Sequence, residues 1–228
     1  MRQKFPDVKK VRYVGMDETG EELRSNGLET CGGTGGDPQF EKPGCYFNYE
    51  EIAKYPFDKD VGAVICGIDF KISYSKIALA SMYIQRGAKF IVTNDDAYTM
   101  QSGYRAPGNG VCIAAIEKSL VGPGGKGLIC DKIVTGKPNP EIIDLIRGQH
   151  GIPESDLSKM LMIGDRADTD IALGNNAGID SCLVLSGVVQ SEEEAKSWGE
   201  RDELYRPTYV LGSFGEDILM TPEELANL

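Results

Sequence analysis

Three carboxylates crowd one short stretch of this chain: Asp165, Asp168 and Asp170 follow the apolar run of Leu161–Asp170, LMIGDRADTD. A lysine, Lys137, lies upstream in Gly136-Lys137-Pro138-Asn139-Pro140. Three neighbouring acids repel one another unless a hard cation or hydrogen bonds compensate, and carboxylate oxygens are the donors that Mg2+ takes. The compact ammonium charge of Lys137 suits a phosphate or acyl-phosphate oxygen. The combination therefore reads as a magnesium and phosphate site. Helix capping would explain one Asp in a first turn, and surface exposure would explain one lysine. Three acids behind an apolar strand, with a lysine at a second strand end, outweigh both readings.

The elements that must position these residues follow from local pattern. Met160 to Ile163 reads as a short strand buried on both faces, and Asp168 and Asp170 fall in the first turn of a helix running through Leu173. Ligands gather at the carboxyl ends of strands in open parallel sheets, which puts Asp165 at a functional edge. Ile133 to Thr135 ends another strand, and Asn139 with Pro140 marks the start of the helix that runs to Gln149. Further strands are expected near Val11–Val14, Ala63–Gly67, Lys89–Val92, Ser181–Leu185 and Thr208–Leu211. Helices are expected at Gly20–Ser25, Ser75–Arg86 and Asn109–Leu120.

GKPNP followed by GDRADTDIALGNNAGI resembles the third and fourth motifs of the haloacid dehalogenase (HAD) superfamily of phosphatases. VGAVICGIDFKISYSKIALA, KFIVTNDD and APGNG resemble its branch of p-nitrophenylphosphatase, phosphoglycolate phosphatase and pyridoxal phosphatase. The resemblance runs from about Val11 to about Val189. It implies an α/β fold: part of a HAD-like parallel Rossmannoid core plus an α/β cap domain. The implied layout is a polar segment over 1–10, the cap over 11–105 and the C-terminal part of the core over 106–228.

Such an enzyme attacks phosphorus with an aspartate, and a second aspartate two residues later serves as general acid and base. The resemblance makes Lys137 catalytic, Asp165 and Asp170 the Mg2+ ligands, and Asp168 a support behind them. It places Asp96, Tyr98 and Thr99, in a cap loop bordered by Asp69 to Tyr74, against a small phosphorylated metabolite such as phosphoglycolate. The first motif, an apolar strand ending in Asp-x-Asp-Gly, does not occur in the chain. Asp17 and Asp69 follow strands, but Thr19 and Lys71 stand where the second acid belongs. Thr93-Asn94 imitates the second motif, yet its place ahead of PGNG assigns it to the cap. The expectation is a truncated member that begins where the cap begins and does not hydrolyse phosphate esters alone. The alternative is a non-catalytic protein that uses the cap for binding or dimerisation.

Composition narrows the partners. A net charge of -11 disfavours nucleic acid and anionic membranes. No apolar run reaches bilayer length, and no signal-peptide h-region opens the chain, so the cytoplasm is the expected compartment. The cysteines form no Cys-x-x-Cys pair and His150 is the single histidine, which argues against zinc. Cys31, in a Gly-rich loop expected to be exposed, is the one thiol for which a redox role is weighed. Gly32 to Gly36 and Gly122 to Gly127 lack the Gly-Lys-Ser/Thr of a nucleotide loop. Ser191 and Glu194 form a capping box. A homodimer through the cap is also expected from the resemblance.

Overall fold

Alternating apolar runs and amphipathic helices give the first half of the chain a five-stranded sheet. In order these are β1 (Lys10–Val14), α1 (Asp17–Ser25), β2 (Glu29–Gly32), α2 (Tyr49–Ala53), β3 (Val61–Cys66), α3 (Tyr74–Gln85), β4 (Lys89–Val92), the hairpin β5 (Tyr98–Gln101) and β6 (Tyr104–Pro107), α4 (Asn109–Ser119) and β7 (Lys132–Val134). The computed structural model describes residues 4–40 and 48–217, so Cys45, Tyr46 and Phe47 lie outside the described residues. The sheet runs β2-β1-β3-β4-β7, and every pairing in it is parallel. Val64, Val92 and Phe90 meet Ala80 and Ile84 of α3 and Cys112, Ile113 and Ile116 of α4 in one core cluster. A smaller cluster gathers Val8, Val11, Leu28, Ala63 and Ile91, with Phe5 against it. The first ten residues are thus not a purely polar leader, because Phe5 and Val8 close that side of the sheet.

The chain divides into two compact units, Met1–Val134 and Thr135–Leu228. This division lies after the residue 105 boundary expected from sequence. Helix α4 has an apolar face that needs a sheet to cover, and it finds the first one, while β7 pairs with β4. Both would otherwise leave apolar surface in water.

One charged pair in the first unit is fully buried. Lys76 Nζ donates to Asp69 Oδ2 at 2.8 Å, to the Lys71 carbonyl at 2.8 Å and to the Thr34 carbonyl at 3.0 Å, with the lysine side chain 2% and the aspartate side chain 0% exposed. The second oxygen of Asp69 accepts from the Lys71 amide at 2.8 Å. Asp69 thereby fastens the loop after β3, and the lysine brings in the loop after β2.

The second unit contains α5 (Glu141–His150), β8 (Leu161–Gly164), α6 (Ala172–Ala177), β9 (Asp180–Val184), α7 (Glu192–Arg201), β10 (Tyr209–Leu211) and a final turn, α8 (Phe214–Asp217). Its parallel sheet runs β10-β9-β8. β8 is an edge strand, and Leu161 is 44% exposed, so it is not buried on both faces as its apolar sequence suggested. Only β9 pairs with it among the described residues, and that leaves its other side open. Ile171, Leu183, Val189 and Ala195 form one cluster, and Ile143, Leu173 and Ile179 another. At α7, Ser191 Oγ accepts from the Glu194 amide at 3.2 Å, and Glu194 returns to the Gln190 amide, one residue before the expected partner. Among the described residues no helix is long and apolar enough to cross a membrane.

Replacing Lys76 by Met strands the buried Asp69 carboxylate and is expected to cost about 3–5 kcal/mol, read by urea denaturation, whereas adding Asp69→Asn restores part of that loss.

Candidate active site

The acids of the second unit are set by two glycines and one irregular turn. Asp165 follows Gly164 at the carboxyl end of β8, and the chain then enters a π-helical turn over Ala167–Ile171. The amides of Asp170 and Ile171 both reach the Arg166 carbonyl, at 2.9 and 3.3 Å. That wide turn brings Asp170 back over Gly164, where an added Cβ would lie 2.4 Å from the Asp170 carboxylate. Gly187 does the same for Asp165: a Cβ there would stand 2.0 Å from Asp165 Oδ2. π-turns inside helices recur at functional sites, and close approach is one of the few positions that requires glycine.

Hydrogen bonds then fix each carboxylate. Asp170, 5% exposed in its side chain, receives Lys137 Nζ on Oδ1 at 2.5 Å and the Arg166 amide on Oδ2 at 3.2 Å. Asp165 Oδ2 accepts the Val188 amide at 2.9 Å, and its carbonyl accepts the Val189 amide at 3.1 Å. Asp168 turns to Arg166, whose Nε reaches Oδ1 at 2.8 Å and whose Nη2 reaches Oδ2 at 3.3 Å. Lys137 itself is half exposed on a loop held by Asn176, whose amide donates to the Pro138 carbonyl at 3.0 Å. Asn139 Oδ1 accepts the Glu141 amide at 3.0 Å, but α5 starts at Glu141 with Pro140 in the cap position, one residue later than Asn139 as cap and Pro140 as first helical residue implied.

Lys137 and Asp170 are therefore in direct contact, while Asp165 is held by its own backbone donor. Asp168 is neutralised by the guanidinium two residues before it, and among the described residues no group of three or more His, Cys, Asp or Glu is arranged around a metal. Two carboxylates remain. Asp165 and Asp170 are the carboxylates left available to a cation such as Mg2+, which keeps several waters and takes one or two protein carboxylates plus phosphate oxygens. Spacing alone did not single out Gly164, Gly187 and Asn176; the two glycines flanking apolar strand ends were the available signal.

In the first unit, Asn109 organises the loop that carries Asp96, Tyr98 and Thr99. It is 1% exposed, and its Nδ2 donates to the Asn94 carbonyl at 2.9 Å and lies 3.3 Å from the Cys66 carbonyl. Thr93 Oγ1 donates to Asn94 Oδ1, and Asn94 Nδ2 donates to Asp96 Oδ2 at 2.7 Å. The Gly108 and Gly110 amides close on the Ala97 and Asp96 carbonyls, and a Cβ on Gly108 would meet the latter at 2.3 Å. Tyr98 is half-buried beneath the Arg105 guanidinium, 4.5 Å from its ring centre, and Thr99 is exposed. PGNG is thus a clamp on the Asp96 loop. Asp17 opens α1, exposed, and Asp69 is consumed by Lys76. Cys31 lies partly buried on β2 against the core, where burial pushes its thiol above the usual range, which disfavours the thiolate a redox role needs.

Comparison with known proteins matches residues 134–216 to the HAD-hydrolase-like family. Residues 134–216 are HAD-hydrolase-like. The chain is 34% identical over 217 residues to phosphoglycolate phosphatase 2 of Arabidopsis thaliana, covering 94% of the chain and 65% of the relative. It is 32% identical over 215 residues to 4-nitrophenylphosphatase of Schizosaccharomyces pombe, covering 93% and 65%. Among solved structures, p-nitrophenyl phosphatase from Archaeoglobus fulgidus aligns with a TM-score of 0.67 at 27% identity, over 93% of the chain and 67% of that protein. Glycerol phosphate phosphatase from Mycobacterium tuberculosis in complex with magnesium aligns with a TM-score of 0.66 at 26% identity, over 90% and 51%. The chain thus spans 65% of the length of these two curated relatives, and 47% of the chloroplastic phosphoglycolate phosphatase 1A of Arabidopsis thaliana.

Asn109→Ala removes the shared donor from the buried Asn94 and Cys66 carbonyls. It is expected to cost about 1–3 kcal/mol in urea denaturation and to speed hydrogen exchange at the Gly108 and Gly110 amides.

Proposed function

We propose that this chain carries the metal and phosphate half of a Mg2+-dependent phosphomonoester hydrolase acting on a small phosphorylated metabolite, with phosphoglycolate and p-nitrophenyl phosphate as the first substrates to try. The observation that carries the reading is the contact of Lys137 with Asp170 at the carboxyl end of β8, beside an Asp165 seated on Gly187. Lys137 is assigned to a phosphoryl oxygen. Its contact with Asp170 keeps the ammonium at the strand end until an anion competes for it. Asp165 and Asp170 are assigned to Mg2+, which their oxygen donors suit and which would supply charge neutralisation at phosphorus. Asp168 acts at one remove: by clasping Arg166 it steadies the residue whose amide orients Asp170.

The nucleophile is assigned to a strand that is not part of this chain. The open side of β8 supports that assignment, since a strand paired there in parallel would end beside Asp165. Asp96, Tyr98 and Thr99 are assigned to the leaving group, supported by the resemblance and by the clamp that fixes their loop. Homodimerisation through the first unit and a cytoplasmic setting belong to the same reading. The second is supported by the acidic composition and by free cysteines in the described residues. The absence of an Asp-x-Asp-Gly sequence favours the second reading, a binding protein without turnover, for the chain by itself.

Hydrolysis of p-nitrophenyl phosphate with Mg2+ tests the assignment in three forms: this chain, its Asp165→Asn variant, and the chain extended by the N-terminal segment of a relative. Turnover is expected only in the extended form, and Asp165→Asn placed in that form should lower it by about 100-fold or more. Turnover by the bare chain that Asp165→Asn abolishes would refute the missing nucleophile. A metal test is independent of turnover. Mg2+ should raise the melting temperature of the bare chain, and Gly187→Ala, which drives a methyl into Asp165, should remove that rise.

A further inference from the structure

Arg12 carries a charge into the middle of the first sheet. It sits at the centre of β1 with 1% of its surface exposed, and a guanidinium so deeply buried needs acceptors for its five N–H groups. Its compensation is incomplete. Asp37 Oδ2 lies 3.4 Å away, and that oxygen already accepts the Tyr55 hydroxyl at 2.6 Å. The Tyr83 ring, its centre 5.7 Å from the guanidinium carbon, adds a cation–π contact. Among the described residues, the buried Arg12 Nε has no hydrogen-bond partner.

Strand register sets what stands beside it. Arg12 is paired with Val64 of β3 on one side and with Cys31 of β2 on the other, and paired residues of neighbouring strands share a face about 5 Å apart. Val64 can accept nothing. The Cys31 sulfur, part-exposed and packed against the main core cluster, is only a weak acceptor. Burial pushes its thiol up, while the Arg12 charge pulls it back.

A neutral thiol leaves the guanidinium short of an anion, and an oxidised sulfur supplies one. We propose that Cys31 is a site of oxidation by hydrogen peroxide to the sulfinate, whose oxygens accept the free Arg12 N–H. The thiolate sulfur attacks one peroxide oxygen, the O–O bond breaks, and the departing hydroxide takes up the proton released by the thiol, giving sulfenic acid and water. A second peroxide repeats the exchange on the sulfenic acid, giving sulfinate, water and a proton. Sulfur loses two electrons in each step and peroxide gains them. Because burial holds the resting thiol high, the first step is slow at neutral pH and quickens as pH rises. Cys31 therefore gathers oxygen under sustained peroxide and is not a rapid switch. The site lies wholly within the first unit and does not depend on the phosphatase reading.

The full chain is incubated with hydrogen peroxide, and the modified cysteines are located by peptide mass spectrometry. Cys130 is the internal comparison: it is also part-exposed, but the charges beside it are the carboxylates of Asp131 and Glu117. Gain of two oxygens at Cys31 is expected to run at least about fivefold ahead of Cys130, and Arg12→Met should remove that lead. A second measurement needs neither oxidation nor a folded Arg12→Met chain. Cys31→Asp places a permanent carboxylate where the sulfinate forms. It is expected to melt above Cys31→Asn at pH 7, with the gap closing in acid as the carboxylate is protonated. Oxidation of Cys130 ahead of Cys31, an undiminished lead in a folded Arg12→Met chain, or a Cys31→Asp chain that melts at or below Cys31→Asn would each overturn the proposal.

Discussion

Parallel strand pairing is the constraint on which both units depend. In the first sheet and in the second, each strand enters from the same edge, so each carboxyl end opens onto a loop at the opposite edge. Asp165 follows β8 on such a loop, while Thr93 and Asn94 after β4 and Asp69 after β3 hold the loops of the first unit in place. The helices return the chain between strands and cover the sheet faces, and their apolar stripes are as wide as that task needs. The antiparallel hairpin of β5 and β6 is the exception. It adds no strand to either sheet, and it carries Tyr98 and Thr99 on a two-stranded ribbon whose base is clamped by Asn109.

The fold was legible wherever a short window contains its own reason. The runs at Val61–Cys66 and Lys89–Val92 are apolar enough to be strands, and α3 lies within a residue of the span read from its pattern. Ser191 announced the start of α7, and Asn139 with Pro140 placed the start of α5 to within a residue, because capping is local chemistry. Partners chosen across the chain were not legible. The sequence of α4 says that it has an apolar face but not which sheet it covers, so the boundary near residue 105 placed it with the wrong one. The apolar β8 reads as an interior strand, and only the sheet order reveals that one of its sides is open.

The candidate site shows the same division. Spacing alone brought Asp165, Asp168 and Asp170 together, since residues so near in sequence cannot be far apart. It did not say where each carboxylate points. In the folded chain the π-turn carries Asp168 against Arg166 and Asp170 against Lys137. The glycines at 164 and 187 left a trace in the sequence, yet their steric role exists only once the two acids are folded onto them.

Charge burial separates structure from chemistry in this chain. Lys76 and Asp69 are both sealed from water, and every donor and acceptor they expose to one another is used, so the pair can hold loops but has nothing left to offer a ligand. Lys137 and Asp170 make the same kind of contact with one partner buried and the other 45% exposed. That asymmetry matters. A buried carboxylate fixes where the lysine waits, while the solvent-facing side of the ammonium remains open to an anion that competes for it. Of these two lysine–aspartate pairs the half-open one is able to exchange partners, and exchange of partners is what the proposed role of Lys137 at a phosphoryl group requires.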